Sequence, residues 1–247
     1  MTMNFYGQMR DNYFDNGIEK IKKKDYNGAI LDFSKIIENN PNDTSAYFNR
    51  GSVKLDLEDY NGAIQDLSKF LEFKPKEEYA YYLRGLAKSY KGSYNESIAD
   101  FTKAIEINPN NATVYSHRGV AKRNLKNYKG AIEDYNKSIE LNPNIAESYF
   151  YRGLAKNYLE DKNGAIEDYS KAIEIDPKRE DFYYNRGVTK AMLKDYEGAI
   201  ADFTKAIEIY PNYAEAYHMR GRIKAKSKKF KDGFVDFEKA QELKNYR

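Results

Sequence analysis

The chain has 247 residues, of which 41 are basic and 38 acidic, for a net charge of +3 near neutral pH. Charges this closely balanced build no bulk field to gather nucleic acid or an acidic membrane. With no cysteine, disulfides, thiolate metal sites and cysteine nucleophiles are excluded.

No apolar run approaches the roughly 18 residues that a membrane-crossing helix needs. The N-terminus, Met-Thr-Met-Asn-Phe-Tyr-Gly-Gln, lacks the basic start and apolar stretch of a secretory signal, so a cytoplasmic protein is expected. Abundant Asn, Lys, Ile and Tyr fit an AT-rich genome, and a bacterial source is expected.

Arg-Gly falls at 50–51, 84–85, 118–119, 152–153, 186–187 and 220–221, each step being 34 residues. All six prolines keep the same step: Pro41, Pro75, Pro109, Pro143, Pro177 and Pro211. A fixed period of this length marks a repeat array, in which each unit buries its apolar face against its neighbours. The frame extends back to Gly17, which follows Asn16 instead of Arg. The domain reading is therefore an N-terminal extension over 1–9 and an array over 10–247, with units 10–43, 44–77, 78–111, 112–145, 146–179, 180–213 and 214–247.

The fourth unit stands for all. Its first half spaces Val114 or Tyr115, Gly119, Lys122 and Leu125 as on one face of a helix. Asn127-Tyr128-Lys129-Gly130 reads as a short turn. Ala131, Ile132, Tyr135 and Ile139 then give a second amphipathic helix. Asn142-Pro143-Asn144 ends it, because proline disfavours the helical conformation in the residue before it. Each unit is thus predicted to be an antiparallel pair of helices, and the chain all-α.

Glycine recurs at the eighth position (Gly17, Gly51, Gly85, Gly119, Gly153, Gly187, Gly221), although glycine in a helix interior costs about 1 kcal/mol against alanine. The repeated cost implies a close helix contact, which small residues at the twentieth position, such as Ala29, Ala63 and Ser97, are expected to answer. Aromatic residues at the fourth and twenty-fourth positions, such as Tyr47 and Phe101, fill the space between helices.

Four charged columns run through all seven units, represented in the second by Lys54, Asp66, Lys69 and Glu72, with Arg50 heading a fifth in six units. Opposite signs recur together, so the columns read as structural ion pairs and not as a track for a charged polymer. The Asp and Glu columns flank a Lys column three residues away on each side, a spacing that pairs side chains on a helix surface. The Arg and the Lys after the glycine are expected to reach the Asp column across the hairpin. Such pairs, if exposed, contribute about 0–1 kcal/mol each.

An aromatic residue, Gly four residues later, Ala-x3-Phe/Tyr and Pro at this spacing resemble the tetratricopeptide repeat over residues 10–247. The family's tryptophan is Tyr here, its leucine before the glycine is Arg in six units, and its tyrosine three residues after the glycine is Lys in all seven. The resemblance implies a right-handed α-solenoid, a superhelix of seven antiparallel helix-turn-helix units, with a concave groove lined mainly by the first helices. It also implies a non-catalytic scaffold that binds a peptide segment of a partner protein in that groove.

In the family's groove positions the third unit carries Tyr79, Tyr82 and Tyr90, the fourth His117 and Arg123, the fifth Phe150, Tyr151 and Tyr158, and the sixth Tyr184 and Asn185. Their aromatic character suits peptide capture, since Tyr and Phe give large contact area at low entropy cost. The basic clamp with which some relatives grip the C-terminal carboxylate of heat-shock chaperones is absent, because no run of three units supplies its Lys, Asn and Arg pattern. Catalysis has little to use: the two histidines, His117 and His218, lie three repeats apart, no Gly-Lys-Ser/Thr phosphate loop follows any turn, and no cofactor or metal is expected.

Single-stranded RNA binding is the alternative from another class, since groove aromatics can stack on bases. Against it, the groove positions hold slightly more acid (Asp11, Asp15, Asp56, Glu147, Asp181, Glu215) than base (Lys22, Arg123, Arg222, Lys226). At the ends, Asn39, Gln241, Lys228, Lys229 and Lys231 read as partial capping. Phe234 and Phe237 are expected to stay partly bare, so end-to-end self-association is a third reading.

Overall fold

The structure is a computed structural model that describes residues 2–227 and 230–245. Those residues form fourteen α-helices and no strand, the all-α class the repeat predicts. The chain divides into two compact units, 1–125 and 126–247. The first holds α1 (Thr2–Lys22), α2 (Tyr26–Asn39), α3 (Thr44–Asp56), α4 (Tyr60–Phe73), α5 (Glu78–Tyr90), α6 (Tyr94–Ile107) and α7 (Ala112–Asn124). The second holds α8 (Tyr128–Leu141), α9 (Ala146–Tyr158), α10 (Lys162–Ile175), α11 (Glu180–Met192), α12 (Tyr196–Ile209), α13 (Ala214–Lys226) and α14 (Phe230–Asn245). Helix α1 begins upstream of residue 10 and runs without a break into the first repeat.

Within each unit, successive helices pack side by side, and the first helices of consecutive repeats also touch: α3 with α5 and α5 with α7, then α9 with α11 and α11 with α13. The core is aromatic and small-residue. Phe33, Phe101, Tyr169 and Phe203 are fully buried, as are Ala29, Ala63, Ala165 and Ala199.

The start and stop of each helix are written locally. Asp25, Asp59, Asn127, Asp161 and Asp195 precede the second helices, and each side chain accepts a hydrogen bond from the backbone N–H of the glycine three residues on, satisfying a donor the helix cannot. The turn expected at Asn127–Gly130 is therefore corrected. Those residues are the cap and first turn of α8, and the reversal takes only the residues before them. Its pivot is a left-handed residue at the fifteenth position: Lys24, Glu58, Lys126, Glu160 and Lys194 have φ of 60–66°, and Gly92 has φ 85°. At the other end, Asn40, Asn108, Asn142 and Asp176 close their helices before proline. Each side chain accepts the N–H two residues on, an Asx turn.

Gly17, Gly85, Gly153 and Gly187 lie nearest the ring at the twenty-fourth position, whereas Gly221 lies nearest the backbone of Gly233 at the twentieth. A Cβ at Gly85 would sit 2.7 Å from the Phe101 ring, and one at Gly153 would sit 2.8 Å from Tyr169. Ser97, at the twentieth position where five repeats have alanine, is fully buried and donates to the Gly85 carbonyl at 2.8 Å, so its hydroxyl costs the core nothing unpaired.

The Arg and Lys of a first helix do reach the Asp of the second. Arg50 donates from Nη2 and Nε to the two oxygens of Asp66 at 2.7 and 2.8 Å, and Lys54 Nζ stands 2.8 Å from the same carboxylate. The pattern repeats at Arg84, Arg152, Arg186 and Arg220. The third guanidinium nitrogen crosses to the preceding repeat: Arg50 to Ser34, Arg84 to Ser68, Arg118 to Thr102, Arg152 to Asn136, Arg186 to Ser170 and Arg220 to Thr204, at 2.7–3.1 Å. Each of these arginines also lies 5.4–5.8 Å from the centre of the tyrosine ring three residues earlier. One side chain therefore ties its own hairpin together and pins it to the repeat before. The first repeat, with Asn16 in this place, keeps only the Lys20–Asp32 pair at 2.7 Å.

Two expectations about these charges need correction. The carboxylates are buried, with Asp66, Asp100, Asp168, Asp202 and Asp236 at 3–4% exposure, so these are not exposed pairs of small worth. The Lys column pairs with Glu three residues on in every unit, as in Lys69–Glu72 at 2.6 Å. Asp66 and its equivalents face into the hairpin instead.

Candidate peptide-docking surface

The first unit carries an open cavity of about 490 Å³ where α3, the start of α4 and α5 meet. Four tyrosines line it: Tyr60, Tyr79, Tyr82 and Tyr90. Leu55, Leu83 and Leu86 complete its apolar wall, and Asp56 and Glu58 bring carboxylates to it. The helical spacing of Tyr79, Tyr82, Leu86 and Tyr90 sets them on one face of α5. Tyr60 enters from α4 because its capping Asp59 fixes the first turn of that helix beside the end of α3.

The rings are held by one another. Tyr60 and Tyr90 stack with centroids 5.5 Å apart and planes at 29°, and Tyr79 stacks on Tyr82 at 5.9 Å and 27°. Tyr79 also leans on Phe48, and Tyr82 on Phe101 and His117. Tyr79 and Tyr90 nonetheless remain 54% and 62% exposed, a large solvent-facing area for rings already fixed in orientation. Burial pushes the Tyr82 phenol up to about 12, with Tyr79, Tyr90 and Glu78 adding to it. Burial, then Glu58 and Tyr90, raise that of Tyr60.

Of the ten sequence-predicted positions, Tyr79, Tyr82 and Tyr90 meet in this cavity. His117 is half-buried on α7, its Nδ1 2.9 Å from the Thr113 carbonyl oxygen and its ring 5.5 Å from Tyr82. Arg123 is half-buried in the last turn of α7. In the second unit Tyr158 is 62% exposed and stacks flat on Tyr128, 4.8 Å away at 6°. Tyr151 lies beside Tyr135 and Phe150. Tyr184 packs between Phe203 and Tyr213, and burial raises its phenol. Asn185 turns its amide back to the Asp181 carbonyl on its own helix.

Phe150 needs correction. It is 6% exposed and packs against Tyr151, Tyr169 and Phe182, so it belongs to the core of the second unit and offers a ligand almost nothing. Its neighbour at the third position is Phe182 where most repeats have a small residue, and the two rings close over each other.

Sequence reasoning missed Tyr60, Tyr128 and Glu58. The signal is a seventeenth-position column of Tyr26, Tyr60, Tyr94, Tyr128 and Tyr196, whose flanking Asp, Asn and Gly residues have the composition of a turn.

Two family models described as tetratricopeptide repeat match this chain, one at residues 112–145 and 180–213 and one at 44–77. A third, described as TPR repeat, matches 90–125 and 158–194. Together they cover more than half of the chain. The curated proteins give no match. Among solved structures, a MamA protein is 28% identical with a TM-score of 0.66, over 70% of this chain and 94% of that one. YrrB, whose structure is described as a TPR protein with an unusual peptide-binding site, is 29% identical with a TM-score of 0.62, over 76% and 97%. A tetratricopeptide repeat protein from Parabacteroides merdae ATCC 43184 is 18% identical with a TM-score of 0.76, over 96% and 93%, which is a likeness of fold.

Proposed function

The chain belongs to the tetratricopeptide repeat family, and we propose that it is a non-catalytic cytoplasmic scaffold that takes a peptide segment of a partner protein on its first helices. The open tyrosine cavity of the first unit carries this reading. Pre-stacked rings present contact area with little ordering left to lose on binding, and an extended or helical segment with apolar anchors suits such a surface. The RNA alternative loses ground at the same place: two carboxylates and no basic side chain line the cavity, whereas a phosphate backbone needs cations. A peptide library displayed on phage and selected against the protein tests the proposal. Selected peptides should bind at least tenfold more weakly to a Tyr79→Ser/Tyr90→Ser variant of unchanged melting temperature. Equal binding to both proteins would move the docking site elsewhere. A second reading, self-association through α14, draws support from Phe234, which is 61% exposed.

A further inference from the structure

The cavity of the first unit combines two things that together select a ligand. Tyr79 and Tyr90 are more than half exposed in it, and aromatic π faces are electron-rich and attract cations. Its rim adds Asp56 and Glu58, both exposed, and no basic side chain lines it. Elsewhere in this chain the same combination is already filled from within. Arg179 lies 4.8 Å from the centre of the Phe182 ring and bridges Asp181 at 2.9 Å and Glu147 at 3.2 Å. Six further arginines lie over tyrosine rings while bound to an acceptor in the preceding repeat, and five of them are shown paired with an aspartate. In this protein, then, an aromatic face beside a carboxylate is where guanidinium groups sit.

We infer that the cup formed by Tyr60, Tyr79, Tyr82 and Tyr90 with Asp56 and Glu58 receives an arginine or lysine side chain of the partner peptide, so that the segment recognised is a basic one with apolar flanks. The inference rests on the peptide-docking reading above and narrows it. The planar guanidinium fits best, since it stacks on the rings while its N–H groups reach the rim carboxylates. Leu55, Leu83 and Leu86 would take the flanking apolar residues.

The test is an NMR titration of protein labelled with ¹³C in its tyrosine rings. The probes are acetyl-Gly-Leu-Arg-Leu-Gly-amide, the same peptide with citrulline for arginine, and choline chloride. The arginine peptide is expected to bind about tenfold more tightly than the citrulline peptide. That preference should vanish in an Asp56→Asn/Glu58→Gln variant, whose exposed, near-isosteric changes leave the fold intact. Equal affinity for the two peptides would overturn the cation site while leaving peptide docking standing. Binding of neither peptide would overturn both readings. A preference that survives in the double variant, or choline binding more tightly than the arginine peptide, would also overturn the assignment.

Discussion

A guanidinium shared by two repeats is worth more than its surface position suggests. Arg152 meets Asp168, Asn136 and the Tyr149 ring at once, and Lys156 adds a second cation 2.9 Å from the same buried carboxylate. Removing the carboxylate leaves two half-buried cations facing each other without it, and breaking a buried pair in this one-sided way is strongly destabilising. Asp168→Ala is therefore expected to cost about 2–3 kcal/mol in urea unfolding, discounted for the partial exposure of the cations. Lys171→Ala, which breaks only the exposed Lys171–Glu174 pair, should cost under about 0.5 kcal/mol. Similar losses in both variants would return the Asp column to the surface. Gly85→Ala belongs to the same scale. Alanine is the better helix former by about 1 kcal/mol, yet its Cβ would fall 2.7 Å from the buried Phe101 ring, and overpacking of that kind costs about 1–3 kcal/mol. The net change should be a loss, read as a lower melting temperature. A gain would mean that the ring can move aside. The Tyr82 phenol, held up to about 12 chiefly by burial, ties stability to high pH. The folded chain keeps this proton after the unfolded chain has lost its own, near 10. Stability should then fall as pH climbs from about 10 to about 12. Tyr82→Phe should soften that fall, and identical pH profiles for the two proteins would refute the coupling.

Six helical hairpins are joined by a single left-handed residue, and the chain solves that position in two ways. Five repeats place Lys or Glu there at φ of 60–66°, while the third uses Gly92 at φ 85°. A side chain in this region costs about 1–2 kcal/mol that glycine avoids. Gly92→Ala adds a Cβ with nothing within 4 Å of it, so its cost is purely conformational and should be about 1 kcal/mol, with Lys194→Gly giving a smaller gain of the opposite sign. Calorimetric melting of the two variants checks both signs, and a neutral Gly92→Ala would show that the turn tolerates either residue. Helices as elements were legible because their apolar spacing repeats seven times over. Their second-helix starts were not. Asn127-Tyr128-Lys129-Gly130 has the composition of a turn, but the asparagine is spent as a cap on the Gly130 N–H, and three residues that look like loop become the first turn of α8.

At the scale of the whole chain, a repeat array makes most positions readable by comparison with their copies, and fails where a copy differs. The tyrosine cavity was half legible: the α5 residues follow from the family's groove positions, whereas Tyr60 comes from a second helix and a column taken for turn. Phe150 was misread because its burial depends on Phe182, a large residue in a place that is usually small, and no periodicity within α9 reveals that. The same comparison between copies isolates Phe234. At the twenty-first position Ile30, Ile64, Ile98, Ile132, Ile166 and Ile200 are all half-buried, while Phe234 is 61% exposed. Lys228 and Lys229, read as part of a terminal cap, lie outside the described residues, and Lys231 and Gln241 are exposed. A phenyl ring exposed at a place the array otherwise shields is where the self-association reading is tested. Sedimentation velocity should show the average mass rising with concentration for the wild-type chain and staying at that of the monomer for Phe234→Lys, with unchanged helicity by circular dichroism. A wild-type chain that stays monomeric at millimolar concentration would leave Phe234 as an isolated surface ring, and a Phe234→Lys variant that still associates would place the contact on another face.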